Sequence, residues 1–282
     1  MKKIFWMVFL LLFLSSCAKK EFEQGNYKVF STKSYKEIPI SKFINELSEN
    51  NIVLFGETHD SPYDHYLEED IFIRFAKNNK NIILSLEMFE RDVQHYLDSY
   101  LAGEITEEEF LKNSRPWNNY PTDYRNLVEY AKKENLRVIA SNIPRNLASI
   151  VSKHGEDSLN SMTDMKDYFV KPFLTPSDYK QRFFDFFSML QSEMPMSGMG
   201  KEKTFLSQLF KDATMAYSIN KELTNNPECK IFMVCGNFHS DYYQGIYQQL
   251  KAINKDVKIT IISVFADSSD FDPSRADYIL FK

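Results

Sequence analysis

Residues 52–59 read IVLFGETH and residues 231–239 read IFMVCGNFH. In each, an apolar run of strand length leads into a glycine and, three positions later, a histidine. A glycine at a strand end followed by a short turn delivers a side chain to the rim of a parallel sheet, where α/β proteins place their sites. The chain has 8 glycines and 5 histidines among 282 residues, so chance predicts well under one Gly-x-x-His. Two occur, both behind apolar runs, and they direct attention to His59 and His239.

Working outward, 41–49 reads as a short helix before the first of these strands. Residues 66–77 repeat apolar positions at helical spacing and 81–86 return to strand character, which leaves Glu87 just beyond the second strand. This is a βαβ unit, whose crossover puts both strand ends on one sheet edge. Helical patterns follow at 93–102 and 106–112, the latter opening with a Thr106 to Glu109 capping box. A helix at 123–134 and a strand at 136–140 come next, with Asn142 and Arg145 past its end. Arg145 starts a helix running to 153, behind Pro144 in a favourable early position. Between 160 and 225 no strand pattern occurs. Helices at 178–190 and 203–223 flank a methionine-rich stretch, and the segment reads as a helical insertion or lid. Strands at 231–235, 258–265 and 276–280 and a helix at 245–253 complete the order. The fold expected is α/β in three layers, a mostly parallel sheet flanked by helices.

The N-terminus has the form of an export signal: Lys2 and Lys3, an apolar stretch from 4 to 14, then Ser15, Ser16 and Cys17. The leucine, two serines and cysteine in series resemble a bacterial lipobox, which makes 1–16 a lipoprotein signal peptide and Cys17 the lipidated residue. Residues 17–40 are polar and weakly patterned, suited to a tether, and 41–282 form the body. The net charge of −5 becomes −7 without Lys2 and Lys3. Such an acidic chain is a poor partner for nucleic acid. Cys229 and Cys235 have the option of a disulfide in an exported protein, although Cys235, inside an apolar run, reads more simply as a buried thiol.

His59, His239, Glu87 and Arg145 arrive together at strand exits. Imidazoles bind transition metals, act as bases or donate hydrogen bonds. Glu57 and Glu87 are suited to ligate a metal or orient a histidine, and Arg145 to hold an anionic group or neutralise Glu87. A divalent metal on His59, Glu87 and His239, with Arg145 steadying negative charge, would make a hydrolytic centre. His65 and His95 fall on helical patterns and read as surface or packing residues. The block RPWNNYPTDY (115–124) offers another chemistry. The phenol of Tyr120 or Tyr124 is able to ligate ferric haem, and Trp117 to line the ring; the alternative is an aromatic loop packed over a helix.

The stretches ILSLEMFERDVQHYLDSYLAGEITEEEF (83–110), RPWNNYPTDY and LRVIASNIPRNLA (136–148), with the two Gly-x-x-His segments, resemble the ChaN-like haem-binding lipoprotein family. The similarity spans most of 50–250 and extends distantly to erythromycin esterases and Tiki proteases. It implies a lipid-anchored outer-membrane protein that takes part in haem or iron uptake, binds haem as a homodimer through tyrosine with nearby histidine, and meets a haem-uptake receptor. It also implies that His59, Glu87 and His239 are the shared constellation, with Arg145 a looser match. His59, His239, Tyr120, Tyr124, Trp117 and Arg145 are then the haem-site candidates, and a metal-assisted hydrolase is the alternative.

Overall fold

The computed structural model describes residues 27–193, 200–265 and 271–281. In chain order the strands are β1 (Lys28–Ser31), β2 (Lys36–Ile38), β3 (Ile52–Glu57), β4 (Ile82–Glu90), β5 (Arg137–Asn142), β6 (Lys230–Gly236), β7 (Ile259–Val264) and β8 (Tyr278–Phe281). The helices are α1 (Ile40–Leu47), α2 (Pro62–Asn78), α3 (Gln94–Leu101), α4 (Glu107–Ser114), α5 (Arg125–Lys133), α6 (Arg145–His154), α7 (Ser177–Glu193), α8 (Lys201–Asn225) and α9 (Ile246–Ile253). All eight strands form one sheet in the order β2-β1-β8-β7-β3-β6-β4-β5. From β8 to β5 they run parallel, and β1 is antiparallel to both its neighbours.

Alternation along the strands explains the layers. Val53, Phe55, Leu84, Leu86, Phe232 and Val234 face one side and pack under α1, α2 and α5. Ile52, Leu54, Ile83, Ile231 and Met233 face the other, under α8 and α9. Successive side chains of a strand point to opposite faces, so a strand covered on both sides has to be apolar at every position. That accounts for the unbroken runs before each glycine and gives the three-layer α/β architecture.

Several boundaries differ from the sequence reading. Strands β3 and β4 do not pair; β6 returns late in the chain and inserts between them, which sets the two Gly-x-x-His segments on adjacent strands. Glu87 lies inside β4, where the pairing with β5 shifts register between Leu86 and Glu90. A bulged strand re-aims side chains locally. Part of the stretch read as a tether is in the sheet: Val29 and Ile38 are buried, and the Tyr27 hydroxyl donates to Asp70 at 2.9 Å. The proposed anchor residue, Cys17, lies outside the described residues. The helical segment 160–225 also divides. Helix α8 buries Met215, Ala216, Ile219 and Leu223 against the sheet and is a layer of the fold, whereas α7 packs on α8 through Tyr179, Phe183, Phe187, Phe205 and Leu209. Cys229 and Cys235 are buried free thiols, and the Thr106 capping box forms as expected.

Phe232 is fully buried at the centre of the sheet, its ring centroid 6.1, 5.5 and 5.8 Å from those of Phe55, Phe72 and Phe75. Phe232→Ala removes a ring whose space rigid neighbours cannot refill. Urea denaturation should show a loss of about 3–5 kcal/mol.

Candidate functional site

The two strand-end glycines serve each other's motif. A Cβ on Gly236 would lie 2.7 Å from His59 Nε2 and 2.8 Å from its Cε1. A Cβ on Gly56 would lie 2.6 Å from Ser240 Oγ and 3.0 Å from the Asn237 backbone. Strand pairing sets Gly56 opposite Cys235 and Glu57 opposite Gly236, so each glycine clears the space into which the turn of the other strand folds. The requirement is for room, not for an unusual backbone angle.

Around the end of β3, Glu57 is buried and its Oε1 accepts from Tyr124 Oη at 2.7 Å and from His59 Nδ1 at 2.8 Å. His65 Nδ1 stands 3.1 Å from Glu57 Oε2 and 3.2 Å from Glu68 Oε1, while its Nε2 donates to the His59 carbonyl at 3.0 Å. Both His65 and Glu68 project from α2 at a spacing of three, which puts them on one helical face. Burial alone would raise the Glu57 pKa, but the hydrogen bond from His59 and the close approach of His65 hold it well below the carboxylate range. Burial and then the Glu57 charge push Glu68 well up, so it keeps a proton. Burial opposes a charge on His59 and His65, yet the hydrogen bonds to Glu57 outweigh it and both are raised.

A second arrangement holds His239. Its Nε2 lies 3.3 Å from Glu87 Oε1, and its Nδ1 donates to Asp212 Oδ1 on α8 in a short hydrogen bond. Glu87 Oε2 accepts from the Gly236 backbone N–H at 2.8 Å. Glu87, Asp212 and His239 are all buried. Burial works against the charges on Glu87 and His239, but their mutual attraction prevails: Glu87 falls to about 2 and His239 rises to about 9. Asp212 is raised, because burial outweighs the attraction of His239.

Outside these clusters a cleft of about 570 Å³ opens at the strand ends, walled by Glu87, Trp117, Asn142, Arg145, Gln208 and Lys211. Lys153 adds a further cation. Trp117 meets the half-buried His59 ring edge-on at 4.8 Å. Arg145 does not neutralise Glu87: its Nε bonds Glu90 Oε1, and its Nη2 donates to the Arg115 carbonyl at 3.0 Å. Glu90 is also bound by Arg115 Nη2 at 2.9 Å. Glu87 instead draws its positive charge from His239. Tyr120 is fully buried against Phe89 and Phe110, and Tyr124 is committed to Glu57. Both phenols are thus packed into the core and do not line the cleft, while Trp117 reaches its wall.

The sequence reading passed over Glu68, Asp212 and Gln208. His65 is buried and packs edge-on against Tyr124, which agrees with the packing alternative and not the surface one. The trace they left was polar residues on apolar helix faces: His65 and Glu68 share a face with Phe72, and Asp212 falls between the buried Leu209 and Met215. Among the described residues, donor atoms with metal-ligand spacing are assembled by Glu57, His65 and Glu68, not by the expected His59, Glu87 and His239.

Residues 43–250 match the family described as haem-binding uptake, Tiki superfamily, ChaN. Among solved structures, the chain superposes on ChaN of Campylobacter jejuni, described for its cofacial haem binding, with a TM-score of 0.72 and 20% identity over 90% of this chain and 96% of that one. It superposes more loosely on a mutant of the erythromycin esterase EreC in its open conformation, with a TM-score of 0.51 and 12% identity over 84% and 76% of the two chains. At these identities the likenesses concern the fold. No curated protein matches the sequence.

The ion pairing predicts a pH profile. A histidine raised from 6.5 to about 9 stabilises the fold fully below pH 6.5, and that contribution is lost as the pH climbs through 9. Glu87, lowered from 4.5 to about 2, contributes above pH 4.5 and loses its contribution as the pH falls through 2. Stability measured by urea titration should therefore decline between pH 6.5 and 9. His239→Asn should flatten that slope and cost about 3–5 kcal/mol at neutral pH, since it strands two buried carboxylates.

Proposed function

Because the chain belongs to the ChaN family of haem-binding uptake proteins in the Tiki superfamily, we propose that it binds haem in the strand-end cleft, as a carrier. The cleft itself carries the reading. Its volume of about 570 Å³ suits a planar macrocycle, Trp117 supplies aromatic wall, and Arg145, Lys153 and Lys211 offer cations to the propionates. Haem, when bound, would supply an iron able to take a protein ligand. Tyr120 and Tyr124 do not suit that task, being buried away from the cleft. The residues present thus fit the macrocycle and its carboxylates, and in this reading the iron ligand is neither of the two buried phenols.

The finer picture is also proposed. Processing ahead of Cys17 and lipidation there would hold the protein on the bacterial outer membrane, where it passes haem or iron to an uptake receptor. Among the described residues no helix is long and apolar enough to cross a membrane, so attachment in this reading rests on the lipid. The cofacial haem binding described for the C. jejuni protein suggests a homodimer here, two copies bringing their clefts together. Exposed Phe186 and Met189 on α7 give such a contact apolar surface.

Metal-assisted hydrolysis is the second reading, favoured by the Glu57–His59 pair, in which a carboxylate orients a half-buried imidazole. It ranks lower because His59 and His239 are both shifted toward the cationic form, which suits attraction of anions better than abstraction of protons. A panel of esters and peptides assayed with added divalent metal tests it, and turnover abolished by His59→Gln would promote it.

Haem titration of the purified protein should give a saturable Soret band. Lys211→Ala should weaken binding roughly tenfold, the loss of a charged hydrogen bond worth about 1.5 kcal/mol. Tyr120→Phe should leave the band in place; a shifted band would restore that phenol as ligand, and unsaturable binding would sink the haem reading. For the anchor, intact mass of membrane-extracted protein should show a chain beginning at an acylated Cys17, and an unmodified Cys17 would remove lipidation from the picture.

A further inference from the structure

Three side chains are arranged as a ligand set that haem binding does not use. Glu57, His65 and Glu68 are buried, and one donor atom from each lies within 4.8 Å of the others. The closest approaches are 3.1 Å between His65 Nδ1 and Glu57 Oε2 and 3.2 Å between His65 Nδ1 and Glu68 Oε1. Metal bonds of about 2.0–2.2 Å to nitrogen and oxygen, at tetrahedral or octahedral angles, set neighbouring donors about 2.9–3.5 Å apart. The observed spacings fall in that interval.

The orientation of His65 points the same way. Its Nε2 donates to the His59 carbonyl at 3.0 Å, and a backbone carbonyl on one ring nitrogen is the usual means of fixing the tautomer whose other nitrogen binds metal. With Nε2 carrying one hydrogen, Nδ1 faces two carboxyl groups, a place that a proton or a metal cation is able to fill. An independent observation comes from the carboxylates. Glu57 Oε2 and Glu68 Oε2 are buried without a hydrogen-bond partner among the described residues, and the nearest charged neighbour of Glu57 Oε2 is His65 Nδ1 at 3.1 Å. Buried polar atoms are nearly always partnered, and one of these two, Glu57 Oε2, lies against the imidazole that Glu68 Oε1 also meets.

We propose that Glu57, His65 and Glu68 form a buried site for a first-row divalent cation. The site lies on the helix side of β3, next to the Gly-x-x-His turn but separate from His239 and Glu87. Two carboxylates and a neutral imidazole balance the charge of one such ion. The Glu57 carboxylate, which also holds His59 and Tyr124 through Oε1, would connect the ion to the cleft wall. One imidazole with two carboxylates suits Zn²⁺ or Mn²⁺.

The test uses the whole purified protein, stripped with chelator and then titrated calorimetrically with Zn²⁺ alone and with Mn²⁺ alone, without haem. One equivalent of at least one ion should bind per chain, persist through desalting by elemental analysis, and raise the melting temperature. Glu68→Gln matches the neutral carboxyl in shape and is the variant best able to fold; with native circular dichroism retained, it should lose that equivalent or weaken it at least about 100-fold. Absence of a stoichiometric equivalent, or equal binding by the folded Glu68→Gln variant, would overturn the proposal. Neither result depends on whether the cleft takes up haem.

Discussion

Glu57, Glu68, Glu87 and Asp212 are buried at the rim of a single sheet, and the organisation of that rim follows from meeting their charge. A carboxylate removed from water is tolerated when protonated, paired or bound to a cation. Here the pairing is done by imidazoles, which the two strand-end turns and α2 supply. His239 joins a carboxylate on β4 to one on α8, and His65 joins β3 to α2. These links cross layers, as do polar ties such as Tyr27 to Asp70 and Ser218 to the Ser141 carbonyl, and add direction to the apolar packing. They fix the relative positions of elements that the core alone would leave free to slide.

Much of this was legible along the chain. The apolar runs, the helical periods and the capping box identify the main layers because each depends on neighbours a few positions away. Strands β1 and β2 escaped because they are short, lie at the sheet edge and alternate too briefly to register. The histidines at 59 and 239 were visible, but their partners were less so. Asp212 belongs to His239 by virtue of α8 packing over the sheet, and nothing in the spacing of the two residues announces that. Of the two roles read for Arg145, neutralising Glu87 fails for a related reason: β4 continues through Glu87 to Glu90, and the second carboxylate is the one that meets the guanidinium. The tyrosines at 120 and 124 looked like ligands by chemistry, yet packing turns both into the core.

The same turn has two kinds of surface. Residues 237–239 direct His239 inward to its carboxylates and bring Phe238 among the aromatic side chains of α7, where Arg182 lies 4.1 Å from its ring centre and donates to its carbonyl at 2.7 Å. Helix α7 is thus tied to the turn that carries His239, although the two are distant in sequence. Opening α7 would expose an aromatic cluster and remove a hydrogen-bond donor from the turn. A rigid polar interior and a helical overhang are in this way joined through three residues.

The mutual clearance of the glycines also bears on how such a chain can diverge. A side chain at 236 collides with the imidazole at 59, and one at 56 collides with the turn that carries 239. Neither motif can therefore drift independently. A lineage that lost His59 would relax the restriction on 236, and a lineage that rebuilt the second turn would relax the restriction on 56. The expected record among descendants is covariation across the two segments, with each glycine retained for as long as its counterpart's turn is kept.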